Sequence, residues 1–116
     1  MLPTDRYLYY ILDDHHCLHH TTDLRAWSRW MDAPTSPRIV AQEHLLSGLW
    51  ISTVFLGINH RFSNEGPQIL FETMVFDHSP DREGSSANDL DCRRYTDWPA
   101  ALAGHSAVVA RWAKGA

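Results

Sequence analysis

The sequence predicts an α+β domain in which a mainly antiparallel sheet of about five strands carries two helices, in the order β-α-β-β-β-β-α. Short runs rich in aromatic and β-branched residues recur along the chain and are typical of strands. Two other segments repeat apolar residues at helical spacing. With 116 residues, 44% of them hydrophobic, the chain has the size and composition of one globular domain, spanning 1–116.

Charge and composition weigh against several classes of protein. The formal net charge of -4 disfavours a broad nucleic-acid-binding surface. The N-terminal segment MLPTDRYLYYILDDHH holds only six consecutive apolar residues, too few for a signal peptide or a membrane span. Cys17 and Cys92 lack CxxC spacing, which favours two thiols in an intracellular protein and leaves a single disulfide as the alternative. We therefore expect a cytoplasmic protein without a cofactor.

The N-terminal part of the chain predicts one strand and one helix. Residues 7–12, YLYYIL, form an apolar run too short for a helix and predict the first strand. The polar run DDHHCLHH at 13–20 is interpreted as a loop. Thr22 is the expected N-cap of a helix over 23–33, which Pro34 would end because proline disfavours a helical residue before it.

The middle of the chain predicts the remaining strands. Apolar and polar residues partly alternate over 38–46, which indicates the second strand. The third and fourth strands are predicted at 49–58 and 68–77, joined by the nine-residue loop NHRFSNEGP. That loop is longer than a usual hairpin connection, as functional loops often are. A short fifth strand is expected at 92–95.

The last segment predicts a second helix. Thr96 is its expected N-cap, Asp97 its first residue and Gly115 its terminator. Its apolar stripe, at spacings of three and four residues, comprises Trp98, Leu102, His105, Val109 and Trp112.

The third and fourth strands are apolar on both faces. In the third strand, Ile51 and Phe55 share one face while Trp50 and Val54 share the other. An antiparallel sheet with one face in water should alternate more cleanly. Because two helices are enough to cover only one face, we expect the second face to be covered by loops, by a second copy of the chain in a homodimer, or by a partner protein.

One polar residue lies on the apolar stripe of the second helix. His105 should point at the sheet, where Thr53 and Glu72 are the polar side chains available to meet it, provided that they lie on the face that the helix covers. One interpretation is a buried, hydrogen-bonded group that helps to set the strand register. The alternative is a pocket made of Glu72, His60 and His105, with His105 as a general acid or base. No nucleophile accompanies these residues, so no catalytic residue is assigned.

The histidine run is a weak candidate for a metal site. In a helix, His15 with His19 and His16 with His20 would each be four residues apart, a spacing that suits metal ligation. A polar loop tolerates histidines equally well, and no further ligands are evident, so metal binding is disfavoured. The run comprises His15, His16, His19 and His20.

A binding surface is predicted at the long loop. Loops on a rigid sheet commonly carry binding function, although an ordinary turn would have the same composition. Of Trp27 and Trp30, one is expected either to be exposed or to be partly buried under the 34–37 segment, and Trp30 is the candidate interface anchor. The candidate loop residues are Asn59, His60, Arg61, Phe62 and Glu65.

Three segments, ISTVFLGINHRF, GPQILFETMVF and RRYTDWPAALAGHSAVVAR, resemble a family of small uncharacterised phage and prophage proteins. The resemblance implies a phage origin, a location in the host cytoplasm and no known activity, and it does not include the histidine run. Small phage proteins of this kind often bind a host factor, as anti-CRISPR proteins do, which is an argument by analogy. The resemblance makes Asn59, His60, Phe62, Glu72, Thr73, Gly104 and His105 characteristic positions.

We therefore expect a non-enzymatic, phage-encoded protein that binds a host or phage protein, for example a CRISPR effector, and inhibits a host defence complex. A small enzyme or ligand-binding protein using the Glu72, His60 and His105 pocket is the first alternative. A nucleic-acid-binding protein is the second, and it would require the arginines to cluster. Those arginines are Arg61, Arg82, Arg93, Arg94 and Arg111.

Overall fold

The computed structural model describes residues 8–61, 66–77 and 89–114. Its elements are β1 (Tyr9–Leu12), β2 (Leu18–Thr21), α1 (Leu24–Asp32), β3 (Ile39–His44), β4 (Leu49–Phe55), β5 (Phe71–Asp77), β6 (Asp89–Tyr95) and α2 (Trp98–Lys114).

The strands form two antiparallel sheets. One contains β1 and β2, and the other has the order β3-β4-β5-β6. The predicted α+β class and antiparallel pairing are confirmed, but the single sheet of about five strands is wrong. The observed order is β-β-α-β-β-β-β-α. An isolated bridge between Tyr9 and Ile58 links the first strand to the end of the larger sheet.

The strand that the sequence did not predict is β2, which lies in the histidine run interpreted as a loop. A tight turn at 13–17 makes it possible. The Asp13 carboxylate accepts hydrogen bonds from the backbone N–H groups of His15 and Cys17, at 2.8 and 3.0 Å. His16 adopts a φ of 63°, a left-handed conformation that histidine tolerates better than most residues. The reversed chain then pairs with β1 despite its polar side chains.

Both helices begin at an aspartate and not at the predicted threonine. Asp23 caps α1 by accepting two backbone N–H groups of the first turn, each at 3.1 Å. The Asp97 carboxylate accepts a first-turn N–H of α2 at 2.9 Å. The predicted caps, Thr22 and Thr96, each precede the observed N-cap by one residue. Aspartate is a somewhat stronger N-cap than threonine.

Strand boundaries also differ from those predicted. β4 ends at Phe55 and β5 begins at Phe71, so the central strands are shorter than 49–58 and 68–77. Gly57, with a φ of 77°, breaks the regular strand after β4. At the other edge, β6 starts at Asp89 and is longer than the predicted 92–95.

The helix α2 lies across one face of the four-stranded sheet and contacts all four strands. Its buried residues are Ala101, His105 and Val108. The predicted stripe is therefore confirmed at His105, and wrong at Leu102, which is 43% exposed. The helix is rotated so that Ala101, and not the larger Leu102, lies against the sheet, which allows a closer approach.

The helix α1 packs on β1 and at one end of the larger sheet. Trp30 meets the ring of Phe55 edge-on, with 5.5 Å between centroids. The indole N–H of Trp27 donates to the carbonyl of Gly57 at 3.0 Å. Both tryptophans are half-buried, so of the two alternatives partial burial is the one observed. No described helix is long and apolar enough to cross a bilayer.

Candidate functional site

The second face of the larger sheet points away from α2 and forms what we call the open face. Directly paired residues share a face, and the register places Gln42, Ser52, Met74 and Cys92 in one row across the four strands. The packing of α2, and of α1 through Trp30, is with the opposite face. The open face comprises Gln42, His44, Trp50, Ser52, Val54, Glu72, Met74, Phe76, Cys92 and Arg94.

The centre of the open face is aromatic and apolar. Trp50, Val54, Met74 and Phe76 are all half-buried. The Trp50 ring lies parallel to the His44 ring, with centroids 5.7 Å apart, and is tilted against the Phe76 ring at 5.3 Å. These three rings form a continuous row across β3, β4 and β5. Trp, Phe and Met are the residue types that are enriched at protein interfaces.

The open face also carries two polar pairs. The Gln42 amide donates a hydrogen bond to the Ser52 hydroxyl at 3.3 Å. In the second pair, the Arg94 guanidinium donates to the Glu72 carboxylate at 3.0 Å, and this hydrogen bond raises the pKa of Arg94. Aromatic and apolar side chains interspersed with hydrogen-bonded polar pairs are common in protein-binding surfaces.

The covered face contains a buried chain of hydrogen bonds. The hydroxyls of Thr53 and Thr73 are 2.5 Å apart, and Thr53 Oγ1 is 2.7 Å from Nδ1 of His105. All three residues are buried. Burial lowers the pKa of His105, while the charge of Glu43 acts weakly in the opposite direction. The predicted pairing of His105 with Thr53 is confirmed, and it connects α2 to both central strands.

Glu72 does not meet the condition for contact with His105, which was that both lie on one face of the sheet. Glu72 is paired with Val54 in the sheet, one position out of phase with Thr53, so its side chain is on the open face. His60 lies beyond the end of β4, where its backbone N–H donates to the carbonyl of Ile69 at 2.9 Å. Because Glu72 and His105 lie on opposite faces of the sheet, they cannot line one pocket with His60. The sequence reasoning missed Glu43, because only the register of β3 reveals which face it occupies.

The described part of the 59–67 loop is held together by its own residues. The side-chain oxygen of Asn59 accepts the backbone N–H groups of Arg61 and Ile69, at 2.9 and 3.0 Å. The Arg61 guanidinium donates to the carbonyl of Pro67 at 2.5 Å. Hydrogen bonds of Asn59 and Arg61 therefore hold the two ends of the loop together. Phe62 and Glu65 lie outside the described residues.

The histidines of the 15–20 run point to different partners. His16 stacks flat on Trp98, with centroids 3.8 Å apart. His19 contacts the Asp13 carboxylate at 2.7 Å, and this hydrogen bond, with those from two backbone amides, lowers the pKa of Asp13 to about 2. His20 packs edge-on against Tyr10. Within residues 8–61, 66–77 and 89–114, no three side chains of the ligating types converge.

The arginines proposed for nucleic acid are spread over different parts of the molecule. Arg93 and Arg111 approach the Asp91 carboxylate on the covered face, at 3.3 and 3.9 Å. Arg94 is on the open face, paired with Glu72. Arg61 lies in the loop that follows β4, and Arg82 is outside the described residues.

The Asp91 carboxylate ties β6 to α2. Burial would raise its pKa, but hydrogen bonds from the Trp112 indole, at 3.2 Å, and from Arg93 lower it overall. An ionised Asp91 is therefore stabilised where the edge strand meets the last turns of the helix.

Gly104 has a packing role. A Cβ at this position would overlap the ring of Tyr95, so only glycine lets α2 lie this close to β6. Gly104, Thr73 and His105 are thus positions at which α2 docks on the sheet.

Comparison with family models, curated proteins and solved structures found no match to the chain. The resemblance to phage proteins accordingly stays a prediction from the sequence motifs.

Proposed function

We propose that the chain is a phage-encoded, non-enzymatic protein that binds a host or phage protein through its open face, and that its target is a host defence complex such as a CRISPR effector. The observation that carries the proposal is the row formed by the exposed His44 and the half-buried Trp50 and Phe76, together with the half-buried Met74. Burying such a row under a partner removes apolar surface from water at about 25 cal/mol per Å².

The arrangement of polar groups also supports binding over catalysis. His105, the one described histidine that is buried, is 2.7 Å from a threonine hydroxyl, and the carboxylate that acts on its pKa is that of the exposed Glu43, which makes no hydrogen bond to it within the described residues. Glu72 is engaged by Arg94 on the other side of the sheet. The acid–base pair required by the enzyme alternative is therefore not assembled, and the separated arginines do not favour nucleic acid.

The test uses two matched substitutions of an apolar residue by glutamate. Met74→Glu places a charge at the centre of the open face, whereas Leu102→Glu places the same charge on the exposed side of α2. Binding to purified CRISPR effector complexes is measured by biolayer interferometry, and phage plaquing is measured on bacteria with CRISPR immunity. We expect Met74→Glu to weaken binding more than tenfold and to abolish protection of the phage, because a charge buried without a partner is costly.

Circular dichroism of both variants establishes that they fold. Two results would overturn the proposal: no effector complex is bound by the unsubstituted chain, or Met74→Glu binds as tightly as Leu102→Glu.

A further inference from the structure

A cleft of about 580 Å³ lies between the β1–β2 turn and the segment that follows α1, and it shares no residue with the open face. It brings together two polar stretches, DDHH at 13–16 and APTSP at 33–37, that have no role in the proposed function. Its volume is within the range of about 300 to 1,000 Å³ that is usual for small-molecule sites.

Both walls of the cleft are held in place. The Asp13 carboxylate organises the turn on one side, and His16 is fixed there by its stack on Trp98. On the other side, the backbone N–H of Ser36 donates to the carbonyl of Ala33 at 3.1 Å, which shapes the segment after the helix. The cleft is therefore largely preformed.

The cleft has an apolar base. Leu12 is buried in the core, and Trp30 lies half-buried against Phe55. Pro37 completes this side of the lining. An apolar base with a few polar groups around it is the usual composition of a ligand site.

Of the polar residues that line the cleft, Asp13 and His16 have partners within the described part of the chain and four others do not. The side chains of Asp14, Arg29, Thr35 and Ser36 make neither hydrogen bonds nor ion pairs within that part of the chain. Arg29 lies in the last turn of α1, where its positive charge interacts favourably with the helix dipole. Yet Arg29 and Asp14 line one cleft with opposite charges and do not pair with each other.

We propose that this cleft binds a small zwitterion of the amino-acid or dipeptide type. Its carboxylate would be bound by Arg29 with the hydroxyls of Thr35 and Ser36, its ammonium group by Asp14, and its apolar side chain would lie on Leu12 and Trp30. A ligand with only one charge would leave either Arg29 or Asp14 without a partner, so the site distinguishes zwitterions from their singly charged analogues.

The test compares three compounds with one aromatic side chain. L-phenylalanine carries both charges, N-acetyl-L-phenylalanine lacks the ammonium group, and phenethylamine lacks the carboxylate. Each is titrated into the ¹⁵N-labelled chain, and the backbone amide shifts of the non-proline residues within 12–16 and 29–37 are followed. We expect L-phenylalanine to bind about tenfold more tightly than either analogue, because each analogue loses one charge-assisted hydrogen bond.

Two variants test which residue of the cleft binds each charged group of the ligand. Arg29→Gln should remove the preference for L-phenylalanine over phenethylamine, and Asp14→Asn the preference over N-acetyl-L-phenylalanine. Arg25→Gln and Asp32→Asn are the matched controls, since both residues are exposed on α1 and outside the cleft. Equal affinity for the three compounds, absence of shifts in these residues at saturating concentrations, or variants that retain full discrimination would each overturn the proposal. None of these results bears on binding at the open face.

Discussion

The two faces of the four-stranded sheet are made of alternate residues of the same strands, yet they differ sharply in burial. On the covered face Ile51, Thr53, Phe71 and Val75 have no exposed surface. On the open face Trp50, Val54, Met74 and Phe76 are only half-buried, although they are as apolar. The comparison shows that the position of α2, and not the apolarity of the strands, decides which face is the core.

The largest expected effect compares two phenylalanines of β5. Phe71→Ala should lower the free energy of unfolding by about 3–5 kcal/mol, because it leaves a cavity in the core. Phe76→Ala on the open face should cost less than half of that, since its ring is already partly in contact with water. Urea unfolding followed by circular dichroism measures both. Equal losses would show that the open face is part of a second core.

The next effect concerns how closely α2 approaches the covered face. Alanine at an ordinary helical position stabilises relative to glycine by about 1 kcal/mol. Gly104→Ala should instead destabilise by about 1–3 kcal/mol, because the methyl group overlaps the Tyr95 ring. In a Tyr95→Val background the same change should become neutral or stabilising. Thermal unfolding of the four proteins completes the cycle, and an unchanged cost in that background would refute the proposed overlap.

A smaller effect compares buried hydroxyls on the two faces. Thr53→Val leaves His105 and Thr73 without their common partner, and we expect a loss of about 1–2 kcal/mol. Ser52→Ala on the open face removes one contact, to the exposed Gln42, and should cost about 0.5 kcal/mol or less. Chemical unfolding measures both changes, and a larger loss for Ser52→Ala would reverse the ranking of the faces.

The smallest effect is on pH dependence. Burial lowers the pKa of His105 below its ordinary 6.5, so the unfolded chain binds a proton more readily than the folded one. The contribution of neutral His105 to the free energy of unfolding is therefore fully present above pH 6.5. It should decline as the pH falls below that value. His105→Gln should remove this part of the profile. Asp13, whose pKa is lowered to about 2, contributes separately. Its contribution to stability is lost only as the pH falls below 3.8, the ordinary pKa of an aspartate. A decline that persists in His105→Gln would assign it to another histidine.

Much of the fold was predictable because it follows from local patterns. The apolar runs located β1, β4 and β5, and helical spacing located α1 and α2. The strand β2 was missed because its sequence, LHHT, is polar and owes its pairing to the Asp13 turn. Helix starts were misplaced by one residue because threonine and aspartate are adjacent at both sites and both are good caps.

The candidate sites were less accessible to sequence reasoning. The existence of a second apolar face was predicted from residue alternation, and the pairing of His105 with Thr53 from helical spacing. The association of Glu72 with His105 failed, because the period of a strand is two and one residue separates the faces. The cleft lined by Asp14 and Arg29 was not predicted, since it joins segments that are distant in the chain and carry no motif.

The amino-acid sequence by itself therefore determined the α+β class, the principal strands and helices, and the excess of apolar surface on the central strands, because these follow from local spacing and composition. Only the tertiary structure decided that the strands form two sheets, which face α2 covers and which polar groups meet. Those outcomes depend on strand register and on the rotation of α2, which in turn depend on contacts such as Gly104 with Tyr95 between residues far apart in the chain.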